Sequence, residues 1–273
     1  MKTQQPQQEA ELKSTAEKIR RYIVTAVHAA QSGHAGPSLS MVEIMATLRF
    51  NEMSMEAPAE DYFILSKGHA APCYYAAETA AGRISYEELT TLRQLGSPLQ
   101  GHPVKGSFPF IDASTGSLGQ GLSIGIGYAL GNHLNDGKRR IYVVLGDGEL
   151  QEGQIWEAAM AASKFNLGNV LAIVDYNKFQ NEDAVEKQMP LEPLADKWRS
   201  FNWHVQELKD GHSISGLLEA YSNAREETSK PSVIIAHTTK GKGISFMEGS
   251  MEWHSRAPSD EEYAAAMQEL SVS

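Results

Sequence analysis

Cysteine is nearly missing from this chain: there is one, Cys73, in 273 residues. A lone thiol closes no internal disulfide, so nothing in the sequence asks for an oxidising compartment. Cys73 itself reads as a small packing residue rather than a nucleophile. Excess basic charge is missing too. Lys and Arg total 24 against 34 Asp and Glu, a formal net charge of −10. A surface of that sign repels nucleic acid and anionic membranes. No apolar run approaches a membrane span in length. The opening segment, MKTQQPQQEAELK, has no apolar stretch of the kind that makes a secretory leader. The expectation is a cytoplasmic protein with no nucleic-acid and no membrane partner.

What the chain does have is 41% hydrophobic residues, enough for one large core. No internal repeat, low-complexity tract or linker divides it. Residues 1–10, rich in Gln with one Pro, are expected to be disordered, and 11–273 to form a single domain.

The chain is organised around Ile141 to Gln180. The apolar, β-branched run Ile141–Leu145 predicts a buried strand, and it stops at the turn Gly146-Asp147-Gly148. A helix is expected from about Gln154 to Phe165. A second buried run, Val170–Val174, ends at Asp175-Tyr176-Asn177. Strand, helix and strand in that order make a βαβ unit with both strand ends at one edge of a parallel sheet. Open α/β sheets bind ligands at that edge. Asp147 offers a charged oxygen there, Asn177 an amide oxygen and Phe179 a backbone carbonyl. Three oxygens with one full charge suit Mg²⁺ that completes its shell with water and phosphate. Glycines let backbone N–H groups approach a diphosphate. A Gly-Asp-Gly alone marks only a turn. Here a helix and a strand separate it from Asn177, and the pair reads as a metal–diphosphate site.

Around this unit the pattern predicts an α/β protein, a parallel sheet with helices on both faces. A long amphipathic helix runs from Leu12 to Ala30 and gives way to a loop at Ser32–Pro37. Ser40 and Glu43 stand in capping-box spacing for the next helix. Tyr62–Leu65, His204–Leu208 and Ser232–Ala236 read as further strands, and Ile214–Arg225 as helix. Ser259 and Glu262 repeat the capping-box spacing at the start of a last helix. Gly125, Gly127 and Gly131 fall within one helical stretch at about 1 kcal/mol each relative to Ala, which close packing against another helix is expected to offset. Four histidines, His34, His69, His102 and His254, sit in loops among small residues. Neutral histidines there can donate to phosphate or sugar oxygens and shuttle protons. His28, His133, His204, His212 and His237 have no such setting and receive no role.

Laid end to end, these segments resemble the amino-terminal, diphosphate-binding domain of transketolase. The matching pieces are Ser32-Gly33-His34, Lys67-Gly68-His69, Gly101-His102-Pro103, Thr115 to Gly121, Gly146-Asp147-Gly148-Glu149 with Gln151-Glu152-Gly153, Asn177-Lys178, and Lys240-Gly241-Lys242-Gly243 followed by Trp253-His254. Tyr176 replaces the first asparagine of the family's pair, and Ser117 stands where proline is common. The resemblance implies a thiamine-diphosphate-binding fold. It implies thiamine diphosphate and Mg²⁺ as cofactors, with Ca²⁺ or Mn²⁺ able to substitute. Asp147, Asn177 and the Phe179 carbonyl are then metal ligands. His69, Gly116, Ser117, Leu118, Gly148, Glu149, Asn177 and His254 contact the cofactor. His34, His102 and His254 are catalytic residues facing the sugar, and Glu152 lies at the subunit interface.

The family's pyrimidine-binding domain has no counterpart in this sequence. The expectation is therefore a split transketolase moving a two-carbon ketol unit between sugar phosphates. A separate C-terminal subunit supplies the second domain, in a heterotetramer of two pairs. The helix after Gly121 and the Gly146–Ile155 region are candidate contact surfaces. Other readings are a non-catalytic thiamine-diphosphate-binding module and a 2-oxo-acid dehydrogenase α-type or deoxyxylulose-phosphate-synthase-type chain. The metallohydrolase reading is disfavoured, because no close His/Asp ligand spacing occurs.

Overall fold

The computed structural model describes residues 5–55 and 60–272. Five parallel strands form one sheet in the order β1-β2-β3-β5-β4: β1 (Tyr62–Leu65), β2 (Ile141–Gly146), β3 (Val170–Tyr176), β4 (His204–Leu208) and β5 (Ser232–His237). Every residue of β2 and β3 is buried, as expected for central strands covered on both faces. Their register sets Gly146 opposite Asp175, so the two loops that follow leave the sheet at the same level.

Strand residues alternate between two cores. Tyr142, Val144, Leu171, Ile173, Ile234 and Ala236 face one side. There they meet α1 (Gln5–Ala30), α3 (Val42–Thr47), α4 (Ala71–Ala80) and α10 (Ile214–Glu226). Ile141, Val143, Leu145, Ala172, Val174 and Ile235 face the other. That side is covered by α6 (Gln120–Leu134), α7 (Gly153–Lys164) and α9 (Leu194–Ser200). The short helices α2 (Ala35–Leu39), α5 (Tyr86–Leu89) and α8 (Val185–Gln188) shape loops, and α11 (Asp260–Val272) packs on α1. None of the helices among the described residues is long and apolar enough to cross a membrane.

Four local expectations need correction. Helix α1 begins at Gln5, so residues 5–10 are ordered helix rather than disordered chain; Gln and Glu are good helix formers. Residues 1–4 lie outside the described residues. The Ser32–Pro37 loop turns helical from Ala35. Ser40 caps nothing: its hydroxyl donates to Pro37 O and to Asp175 (3.0 and 2.5 Å), and α3 starts without a side-chain cap. The hydroxyl instead donates to the buried Asp175 carboxylate, a charge-assisted bond stronger than one accepted from a neutral helix N–H. The second capping box does form, with Ser259 N donating to Glu262 and Glu262 N to Ser259 Oγ (2.8 and 3.2 Å). Finally, none of the α6 glycines is seated against a neighbouring helix: Gly125 packs on the sheet and Gly121 on the turn after β1. A Cβ on Gly125 would lie 2.8 Å from Val143 Cγ2, and one on Gly121 2.5 Å from Ser66 Cβ. Gly127 and Gly131 face open space.

Candidate active site

The carboxyl ends of four neighbouring strands converge. β1 runs into Ser66–His69, β2 into Asp147, β3 into Asn177 and β5 into Thr238–Lys240. Between these loops lies a cavity of about 280 Å³, lined by Asp147, Asn177, Phe179, Gln180, His69 and His254 among others. The fold thus brings together residues up to 217 positions apart (Pro37 to His254).

Asp147 and Asn177 stand side by side as the βαβ unit requires. Asp147 Oδ1 accepts from Gly148 N at 2.7 Å, and Oδ2 accepts from Lys178 N on the adjoining loop. Asn177 Oδ1 accepts from Phe179 N at 3.1 Å, and its amide donates to Asp175 at 3.3 Å. Burial, and then the neighbouring Asp175, push the Asp147 carboxyl up to about 7. A buried acid of that kind favours a cation beside it. The donor set, one carboxylate, one amide oxygen and the Phe179 carbonyl, fits a hard divalent ion that keeps part of its shell for phosphate and water. Gln180 Oε1, buried in the same wall, has no hydrogen-bond partner among the described residues.

Beneath this pair the sequence hid a second layer. Asp175 is fully buried and collects Lys67 Nζ, Ser40 Oγ, Thr238 Oγ1 and Asn177 Nδ2, which arrive from four different segments. Burial alone would raise its carboxyl. The charge and hydrogen bond of Lys67 outweigh that and hold it below its ordinary value. Lys240, also buried, reaches Gln180 O (3.4 Å) and His254 Nδ1 (3.2 Å) and lies over the Phe179 ring. Burial, and then Lys67, pull it down to about 8.

The four loop histidines cluster beside the cavity, with His69 and His254 in its wall. Ring centroids are 5.4 Å apart for His34–His69, 6.4 Å for His34–His102, 5.5 Å for His34–His254 and 5.4 Å for His69–His254. Burial, then Arg93, lowers His34 to about 4; burial, then Lys240, lowers His254 to about 3. His69 and His102 are also depressed, in each case by burial first. At neutral pH this is a cluster of uncharged rings, suited to hydrogen bonding with oxygen-rich ligands.

The remaining expected residues divide. Leu118, Gly148 and Glu149 line the cavity. The Glu149 carboxylate, though, is engaged inside the protein by Ser66 Oγ, Gly119 N and Gly146 N (2.5, 2.9 and 3.0 Å). It braces the Gly119 turn against the end of β2. Gly116 has φ 131°, and a Cβ there would sit 2.9 Å from the His102 ring, so only glycine admits that ring. Ser117 is exposed, and Glu152 lies at the cavity rim. Sequence reading missed Asp175, Lys67, Lys240, Arg93 and His212 as site-shaping side chains. His212 accepts from Thr239 N (2.8 Å) and bonds Glu43 (2.8 Å), steadying the loop that carries Lys240. The charges that end a buried strand, such as Asp175, were the available signal.

The family described as "Transketolase, thiamine diphosphate binding domain" matches residues 12–273 of this chain. The chain belongs to the transketolase family. This transketolase chain is similar along nearly its whole length to two short relatives. One is a component of the apulose-4-phosphate transketolase of Phocaeicola vulgatus, named as one of its subunits, 39% identical over 95% of this chain and 94% of the relative. The other is the 6-deoxy-6-sulfo-D-fructose transketolase subunit SqwG of a Clostridium species, 40% identical over 97% and 98%. The solved transketolase from Leishmania mexicana superposes with a TM-score of 0.90 at 28% identity over 95% of this chain. The present transketolase chain spans 41% of that longer one. The fold is therefore the thiamine-diphosphate-binding α/β fold, and the chain is a transketolase component.

Proposed function

We propose that this chain is the diphosphate-binding subunit of a two-chain transketolase. It transfers a two-carbon ketol unit from a ketose phosphate to an aldose phosphate, and it acts only with a second chain that carries the pyrimidine-binding domain. One observation carries the reading: Asp147 and Asn177 sit side by side beneath a rim of four neutral histidines. Thiamine diphosphate, when bound, supplies the electron sink for carbon–carbon bond cleavage. The chain's own residues bind and orient. Asp147, Asn177 and the Phe179 carbonyl hold Mg²⁺, for which Ca²⁺ or Mn²⁺ substitutes. Lys240, whose ammonium is bonded to a carbonyl and a ring nitrogen rather than to a carboxylate, would supply positive charge to the diphosphate. His69, His254, Gly148 and Leu118 flank the cofactor, with Gly116 and Ser117 on the approach to the ring. His34, His102 and His254 hold hydroxyl and carbonyl oxygens of the sugar.

Two short relatives bear subunit names, which supports a separate partner. We place the contacts of a heterotetramer of two pairs on the open face of α6 and on the Gly146–Ile155 region with Glu152. On that α6 face Gly127 and Gly131 look onto open space and Leu134 is exposed. The buried thiol of Cys73 suits a reducing cytoplasm.

The test is co-expression with the candidate partner. Ketol transfer is then assayed with Mg²⁺, thiamine diphosphate and a panel of ketoses that includes a phosphorylated and a sulfonated member. Transfer to an aldose phosphate by the mixture, and none by either chain alone, is the expected result. Full turnover by this chain alone, or cofactor binding without turnover across the panel, sinks the reading.

A further inference from the structure

Two rings of the histidine cluster each give one nitrogen to a cation. Arg93 Nη2 lies 3.3 Å from His34 Nδ1, and Lys240 Nζ lies 3.2 Å from His254 Nδ1. A guanidinium has only N–H groups to offer and no acceptor. The shared hydrogen bond can form only if His34 Nδ1 carries a lone pair. The proton of the neutral ring then sits on Nε2.

We propose that Arg93 is a positioning residue that locks His34 in its Nε2–H tautomer and so presents it to the sugar-binding mouth as a hydrogen-bond donor. The inference deepens the function proposed above and rests on it for the identity of the ligand, a polyhydroxylated, oxygen-rich substrate. The lock itself rests on geometry alone.

The surroundings of Arg93 hold its guanidinium in one place. The residue adopts φ 60°, an uncommon left-handed conformation for a side chain of this size. Its backbone N–H donates to Leu99 O at 2.8 Å. Its Nη1 donates to Ser32 Oγ at 2.7 Å, on the same loop as His34. Gly101 supplies the room: a Cβ there would lie 2.6 Å from Arg93 Nε. An off-target fork would lose both the Ser32 and the His34 bonds.

Lys240 acts on His254 in the same sense while it is an ammonium. The two rings then point matching Nε2–H donors at a ligand oxygen, and neither accepts a proton at Nδ1 without expelling its cation. The positive charge of Arg93 also helps to keep His34 neutral. A donor pair of this kind recognises hydroxyl, carbonyl or developing alkoxide oxygen. It discriminates against ligands that offer only N–H or C–H groups at that position.

The experiment reads the tautomer directly. The full chain is labelled with ¹⁵N-histidine, and long-range proton–nitrogen correlation spectra are recorded near pH 7.5 without cofactor or partner. The His34 signals are assigned by their loss in His34→Gln. The expected pattern is a protonated Nε2 and a bare Nδ1 at His34. In Arg93→Met the pattern shifts toward a tautomer mixture and the ring titrates at higher pH. A wild-type His34 protonated on Nδ1 overturns the proposal without recourse to any variant. So does an Arg93→Met protein with an unchanged His34 pattern and titration. No turnover is measured, so failure of the ketol-transfer reading and failure of the tautomer lock are separately visible.

Discussion

Lys67 and Asp175 form an ion pair sealed inside the protein, one from the end of β1 and one from the end of β3. Their side chains are 1% and 0% exposed. Lys67 also donates to Pro37 O at 3.0 Å, which fastens α2 and the adjoining His34 loop to the sheet edge. Asp175 in turn orients the Asn177 amide. The Asn177 loop and the His34 loop are thus tied through one carboxylate.

Removing one partner of this pair leaves an uncompensated buried charge. Lys67→Met is expected to cost roughly 3–5 kcal/mol. The double variant Lys67→Met, Asp175→Leu should cost less than the sum of the two single changes. Urea unfolding of the three variants checks this, and strict additivity would contradict it.

Cofactor uptake should depend on the ionisation of Asp147. Burial and Asp175 hold that carboxyl at about 7, so it is mostly protonated below that pH and cannot bind metal. The affinity for Mg²⁺ with thiamine diphosphate is expected to fall about tenfold between pH 8 and pH 6. Asp147→Ala and Asn177→Ala should abolish metal-dependent uptake in the assembled complex. Calorimetry in two buffers would also detect the released proton. A pH-independent affinity would remove Asp147 from the metal site.

Acid stability follows from the histidines, with a definite sign. His34 and His254 titrate at about 4 and about 3 in the fold, below the ordinary value of 6.5. The unfolded chain takes up their protons first as pH falls. Their contribution is therefore fully present above about 6.5 and is lost as pH drops toward 4. Asp147 runs the other way, its contribution being lost as pH rises through about 7. Thermal unfolding of His34→Gln/His254→Gln should lose less stability than wild type between pH 7 and pH 4.5. An equal or larger loss would count against the depressed values.

The glycines of α6 should separate into two classes. Gly125→Ala drives a methyl to 2.8 Å from Val143 and is expected to destabilise the chain by about 1–3 kcal/mol. Gly127→Ala and Gly131→Ala meet open space and should stabilise the isolated chain by roughly 1 kcal/mol each. If that face is a subunit contact, the same two changes weaken assembly. Thermal unfolding paired with sedimentation of the reconstituted complex reads both effects. Stabilisation with unimpaired assembly would move the contact elsewhere.

The sequence by itself determined the strands, because fully buried β-branched runs such as Ile141–Leu145 leave little alternative, and it determined that Asp147 and Asn177 share one edge of the sheet. Asp147 and Asn177 belong to one βαβ unit, whose connection rules fix where its loops emerge. Motif order also disclosed the family. Only the tertiary structure decided what surrounds them. Ser40 reads as a helix cap along the chain, yet it bonds Asp175 from 135 positions away. Asp175 and Arg93 look like ordinary charges along the chain, until Asp175 meets Lys67 at the sheet edge and Arg93 meets the Ser32–His34 loop. Local pattern reports which face of an element is apolar, whereas the pairing of buried polar groups is settled by distances between remote segments.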